Sequence, residues 1–203
     1  MQDFDKIFDF LYTIEDLKKT VRYKTGRVEL TESVADHSWR LAMTAMIVAD
    51  HLKIDINIER AIKVALVHDL GEYLHGDVEY KRIYLGTISK DEKHRMELEG
   101  INSAKDKLPE DLGAEIYNLW KEYDEAETRE ARFVKALDKM EAIMHVHSKG
   151  HETFDIPDSV ATYADKAVAK FPELKEMLHI LKMRLKTEFE KGNLEWKKDY
   201  EDM

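Results

Sequence analysis

The chain has 203 residues, 43% hydrophobic and 36% charged, with a formal net charge of −10 and no cysteine. That length suits one domain with its own core, and the acidic balance argues against binding along a nucleic-acid backbone, which needs clustered Lys and Arg; a small phosphate ligand held in one pocket stays open. Disulfides and thiolate metal sites are excluded, the apolar runs are too short for a transmembrane helix or a secretory signal, and a cytoplasmic location is expected.

Only 8 Gly and 3 Pro, with apolar spacings of three and four, predict an all-α fold over a single domain spanning 1–203, without repeats or linkers. Residues 5–20 set Ile7, Phe10 or Leu11, Ile14 and Leu17 on one helical face. A second, more buried helix is predicted over 34–52. Asn57 is placed to cap a third, running over 58–74. The glycine-containing segment 76–89 breaks the pattern and reads as a loop. Helices resume from Ser89 to Lys107 and again from Pro109, since proline prefers the first turn. A long helix ends at Gly150, a natural C-cap, and two more follow Pro157 and Pro172. From about Gly192 the chain is polar and is expected to fray.

The stretch VHDLGEYLHGDVEYKR, residues 67–82, interrupts an apolar segment with His68, Asp69, Glu72 and Asp77. Burying carboxylates is costly unless something pairs with them or coordinates to them. Ala61, Ala65, His68 and Glu72 are spaced to share one helix face, with Asp69 one position round. A lone His-Asp pair at a helix end is most simply an imidazole satisfied by its neighbour. Two further helices carry similar intrusions, however: His37 lies on a face with Leu41, Thr44 and Val48, and Asp138 lies between Leu137 and Met140. Two imidazoles and two carboxylates on three apolar helices suit one divalent first-row ion, which would offset the burial cost.

His37, the pair His68-Asp69 and the distant Asp138 resemble the H…HD…D signature of HD-domain metal-dependent phosphohydrolases. The longer stretches ESVADHSW, HDLGE with GDV, EKHRMELEG, LPEDL with LWKEY, and ARFVKALDKMEAI resemble the YfbR-type branch of that family, the 5′-deoxynucleotidases, from about Glu32 to His147. The resemblance implies an HD-domain helical bundle with the metal site between core helices, and a phosphatase acting on deoxyribonucleoside 5′-monophosphates. It implies a divalent cation, Co²⁺ or Mn²⁺ before Mg²⁺, Ni²⁺, Zn²⁺ or Fe²⁺, and a homodimer that engages neither nucleic acid nor membrane. Carried over, His37, His68, Asp69 and Asp138 become metal ligands, Glu72 the acid/base residue and Asp77 a substrate-pocket carboxylate. The chain departs from the pattern at Arg27, which stands where relatives carry a tryptophan. Arg22, Lys24 and Arg27 are candidate phosphate contacts, because guanidinium groups grip phosphate bidentately. His75 and His94 lie between Asp69 and Asp138, where two-metal HD enzymes place extra ligands, but His94 falls in a charged run and nothing ties His75 to the cluster; His145, His147 and His151 resemble an accidental metal-binding tail. The segments MLHILKMRL and EIYNLW hold more apolar surface than one core needs, which fits the implied dimer. Another HD-type hydrolase, of cyclic or polyphosphate nucleotides, and a non-catalytic nucleotide- or metal-binding regulator are the competing readings. The intact ligand set with Glu72 favours an enzyme over the regulator, and the lack of an extended basic patch disfavours a polyphosphate.

Overall fold

The structure is a computed structural model that describes residues 3–26 and 31–201. Among the described residues the chain is helical, with no β-strand and one isolated antiparallel bridge between Val21 and Ser33. No helix is long and apolar enough there to cross a membrane.

The first helix, α1 (Phe4–Ile14), buries Phe10 and half-buries Ile7 and Ile14 against the core. The chain then loops out and returns, with Arg22 N–H donating to the Glu32 carbonyl at 2.9 Å and Val34 N–H to the Thr20 carbonyl at 2.9 Å. That closure sets Arg22 beside Glu32 just before α2 (Val34–Leu52). Ser33 and Asp36 start α2 with a reciprocal capping box, which satisfies two backbone N–H groups that would otherwise lack partners. Asn57 caps α3 (Ile58–Val67) as expected, its side chain accepting from Arg60 N–H.

The sequence predicts that this helix runs on to residue 74, and it does not. It ends at Val67, four turn residues follow, and a short α4 (Glu72–His75) resumes. The reason is tertiary. Gly71 lies against Gly100 so closely that a Cβ on Gly100 would sit 2.0 Å from the Gly71 carbonyl oxygen. Only two glycines permit such an approach. The predicted loop 76–89 also contains a short helix, α5 (Tyr80–Tyr84).

A second capping box, Ser89 with Glu92, opens α6 (Lys90–Asp106), and Pro109 stands as N-cap of α7 (Glu110–Glu125). Thr128 caps α8 (Arg129–Lys149), which ends at Gly150 as predicted. Pro157 occupies the first turn of α9 (Pro157–Thr162), α10 spans Asp165–Val168, and a 3₁₀ turn at Pro172 leads into α11 (Lys175–Lys191).

Helices α2, α3 and α8 pack on one another at the centre, α7 and α6 cover one flank, and α11 backs α8. Leu41, Phe133, Leu137, Met140 and Ile143 fill that centre. The polar tail does not fray as expected: Tyr200 is buried against Phe189 and Trp196, and Lys182 Nζ donates to its carbonyl at 2.6 Å. EIYNLW is spent on the core through Leu119 and Trp120, and MLHILKMRL largely so through Leu178, Leu181 and Leu185.

Candidate metal and active site

Two helices and the turn after α3 converge, where the sequence predicts three helices. His37 arrives from the first turns of α2, His68 and Asp69 from the turn that ends α3, and Asp138 from the middle of α8. His37 Nε2 stands 3.2 Å from His68 Nε2, 3.2 Å from Asp138 Oδ1 and 3.7 Å from Asp69 Oδ2. His68 Nε2 lies 3.0 Å from Asp69 Oδ2 and 3.9 Å from Asp138 Oδ1. Ligands at about 2.0–2.2 Å from one ion are separated by ~3.0–3.6 Å, so these spacings fit a shared cation.

The tautomers agree. His68 Nδ1 lies 2.8 Å from the Ala65 carbonyl, which can only accept, so Nδ1 carries the proton and Nε2 keeps its lone pair. His37 Nδ1 lies 2.5 Å from Glu141 Oε2 and donates to it, so Nε2 is the nitrogen turned toward the cluster. Asp138 is held from its other oxygen: Tyr123 donates to Oδ2 at 2.6 Å and Lys139 Nζ pairs with it at 2.8 Å, so Oδ1 is the atom turned toward the imidazoles. Burial and the Arg22 charge both lower the His37 pKa. Hydrogen bonding to Asp138 and Glu141 nonetheless carries it up to about 9. The cluster therefore has an excess of negative charge and a demand for a cation.

Glu141 was not foreseen. It is 0% exposed and anchors a buried network behind His37. Arg40 Nε donates to its Oε1, and Arg22 Nη1 approaches its Oε2 at 3.7 Å. The same arginines reach Glu32, Arg22 at 2.9 Å and Arg40 at 3.2 Å, and His145 Nδ1 meets the other side of Glu32 at 2.9 Å. His145 also stacks on Tyr23, with centroids 5.4 Å apart. The expectation that His145 belongs to an accidental cluster is thus corrected. The one signal in the sequence was spacing: Asp138, Glu141 and His145 follow steps of three and four down α8, on one face. Glu32, His37 and Glu141 could also be read as a cation cluster, but the two guanidinium groups already supply its positive charge.

Beside this cluster lies a cavity of about 310 Å³. Asp69, Asp138, Glu72, Asp77 and Arg22 line it, with Lys81, Lys93, Lys135 and Lys139. Glu72 heads α4 and is buried; its Oε1 is 3.5 Å from Lys93 Nζ and its Oε2 has no hydrogen-bond partner. Burial, then the charges of Asp69 and Asp77, raise its pKa well above the usual carboxyl range. Burial also raises that of Asp77, against the pull of Arg22 and Lys93. Lys93 stays charged despite its burial because Glu72 and Glu97 face it. Arg22 is brought to the cavity wall while bound to Glu32; Lys24 is exposed, and Arg27 lies outside the described residues. His75 and His94 stand apart from the cluster, beside Glu99 at 3.0 Å and Asp124 at 3.5 Å.

Residues 14–175 match the HD domain family. The chain is 37% identical over 175 residues to the mouse protein named 5′-deoxynucleotidase HDDC2, covering 83% of each chain. It is 35% identical over 187 residues to the human protein of that name, covering 89% of this chain and 87% of the relative. Its fold is similar to a crystal structure from Magnetospirillum magnetotacticum titled "Predicted metal-dependent phosphohydrolase", with a TM-score of 0.75 and 24% identity over 94% of this chain and 95% of that one.

Proposed function

The chain belongs to the HD-domain family, and on that footing we propose that it hydrolyses the 5′-phosphate ester of (deoxy)ribonucleoside 5′-monophosphates, with one divalent cation as cofactor. The observation that carries this reading is the convergence of two imidazoles and two carboxylates, of which Asp69 and Asp138 reach the wall of a cavity that also holds the buried carboxyl of Glu72. His37, His68, Asp69 and Asp138 are the residues that would hold the cation. Bound there, it supplies Lewis acidity toward a phosphoryl oxygen and lowers the pKa of a water. Co²⁺ and Mn²⁺ are the favoured ions.

The protein's own groups divide the remaining work. Glu72 keeps a proton because of its burial, and its unpartnered Oε2 is the atom to pass that proton to the departing 5′-oxygen. Lys93 faces the same carboxyl and favours the carboxylate that the transfer leaves behind. Tyr123 and Lys139 fix the rotamer of Asp138, while Glu141 and the Ala65 carbonyl fix the two imidazoles. Asp77 and Arg22 contact the substrate from the cavity wall. A cytoplasmic enzyme fits the cysteine-free composition.

The protein acts as a homodimer in this reading, and MLHILKMRL, the segment the sequence suggests, leaves Ile180 and Met183 exposed. Phe4, Phe8, Leu11 and Tyr12 on α1 are exposed, as are Met43, Met46, Ile47 and Trp39, 64% exposed, on α2. Apolar patches of that kind mark interaction surfaces. Light scattering at micromolar concentration tests it: a monomeric mass removes the dimer. Phosphate release from a panel of mono-, cyclic and polyphosphate nucleotides, with and without added metals, tests the activity. Turnover of monophosphates only with metal is expected. Turnover confined to cyclic or polyphosphate nucleotides would overturn the substrate class, and no turnover of any would favour a regulator.

A further inference from the structure

The cavity is wider than a phosphate needs, and its wall away from the carboxylates is built by α5, α9 and the residue that follows α9. Ile83 and Val160 give that wall an apolar surface, and Tyr80 and Tyr163 add two rings. The rings meet edge to face, with centroids 5.0 Å apart and planes at 69°. A cation links them to the ligand cluster: Lys139 Nζ is 2.8 Å from Asp138 Oδ2 and 5.2 Å from the Tyr163 centroid. These two steps put the Tyr163 ring within ~8 Å of the Asp138 carboxylate, about the reach of a phosphate and one sugar ring.

An edge-to-face contact covers one face of one of its two rings, Lys139 Nζ stands over a face of Tyr163 and Tyr84 leans toward Tyr80 with centroids 6.2 Å apart, so the ring surface left to a planar ligand is on the remaining faces of the pair. Tyr80 is 41% exposed although its ring is large and mostly apolar. We propose that Tyr80 and Tyr163 form a stacking platform for the nucleobase. The proposal rests on the nucleotidase reading above. It adds where the base goes and why its identity matters little: every base offers a π-face, so stacking tolerates all of them, at ~1–3 kcal/mol per base.

The test compares 2′-deoxyguanosine 5′-monophosphate with 2-deoxyribose 5-phosphate, which carries the same phosphate ester and no base. Both kcat/KM with metal and direct affinity by calorimetry without added metal are measured. The parent should favour the nucleotide by about tenfold or more, the size that stacking one base supplies. Tyr163→Leu and Tyr80→Leu keep apolar volume and lose the π-face, and each should cut that ratio about fivefold or more. Tyr163→Phe and Tyr80→Phe should retain it. A ratio unchanged in both leucine variants overturns the platform, as does a ratio that falls equally in the phenylalanine variants. If the parent hydrolyses neither compound, the nucleotidase reading fails by itself, and the calorimetric ratio still decides for or against base stacking. Tyr80 is largely at the surface, so its variants keep the test open should Tyr163→Leu fold poorly.

Discussion

Glu141→Gln should weaken the metal site without touching a ligand. Glu141 accepts from His37 Nδ1 at 2.5 Å through Oε2 and from Arg40 through Oε1, so both of its oxygens serve as acceptors. Glutamine has the same shape but only one acceptor. Whichever way the amide turns, its NH₂ faces either the His37 N–H or the Arg40 guanidinium, donor against donor. The charge change acts in the same direction. Losing one carboxylate leaves Arg40 and Arg22 in excess beside His37, and positive charge there opposes a divalent cation. Replacing a group that orients a metal-bound histidine usually costs 10–100-fold in metal affinity, which is about 1.4–2.7 kcal/mol. The assay is calorimetric titration of the metal-free variant with Mn²⁺ or Co²⁺, alongside thermal melting by circular dichroism to show that the fold persists. Glu141→Asp, which keeps the charge but shortens the reach, should fall between parent and Gln. A folded Glu141→Gln protein that binds either ion as tightly as the parent would show that the carboxylate does not hold His37 for the cation.

Asp138→Ala should abolish activity and strongly weaken metal binding, checked by metal analysis after dialysis; a variant as fully loaded as the parent would remove Asp138 from the ligand set. Glu72→Ala should keep the metal and lose about 10²–10⁴ in turnover, the usual share of general acid–base catalysis, and near-parent kcat would leave Glu72 a bystander. Gly100→Ala drives a Cβ into the Gly71 carbonyl oxygen, backbone against backbone with no flexible side chain to yield. Urea unfolding should show a loss at or above the ~1–3 kcal/mol typical of overpacking, with m unchanged, and parent stability would mean that α6 can slide. The ratio of kcat/KM for dAMP over AMP should stay below about a hundredfold, or roughly 2.7 kcal/mol, because Arg27 supplies no aromatic crowding at the 2′ position. A larger preference for the deoxy form would mean that another residue rejects the hydroxyl, with Asp77 the first to test.

What could be read from the sequence was what local physics decides. Asn57, the predicted opening of a helix at Ser89 and the end of α8 at Gly150 appear where expected, because a cap needs only neighbours within a turn. That His37, His68, Asp69 and Asp138 come together was legible because polar residues stood within apolar helical segments. Glu141 sits at the same kind of register, but its partners His37 and Arg40 lie on a distant helix, and nothing local to α8 names them. The break after Val67 was hidden for a related reason. Helical periodicity continues through His68 and Glu72, and the chain leaves it only because a second glycine, on α6, draws the turn aside. The tail misled through composition: it is polar on average, yet Leu194, Trp196 and Tyr200 seat it on the core.

The contact of Gly71 with Gly100 also sets an order in time. His37, Asp138 and the end of α3 belong to the central helices, which pack on each other directly. Glu72 lies one residue beyond Gly71 and reaches Lys93 of α6 only once the two backbones have closed. During refolding, turnover should therefore wait for α6, which shapes the turn that holds His68 and Asp69 and carries Lys93 to its partner. Slowing that docking step should delay the return of turnover to the same extent.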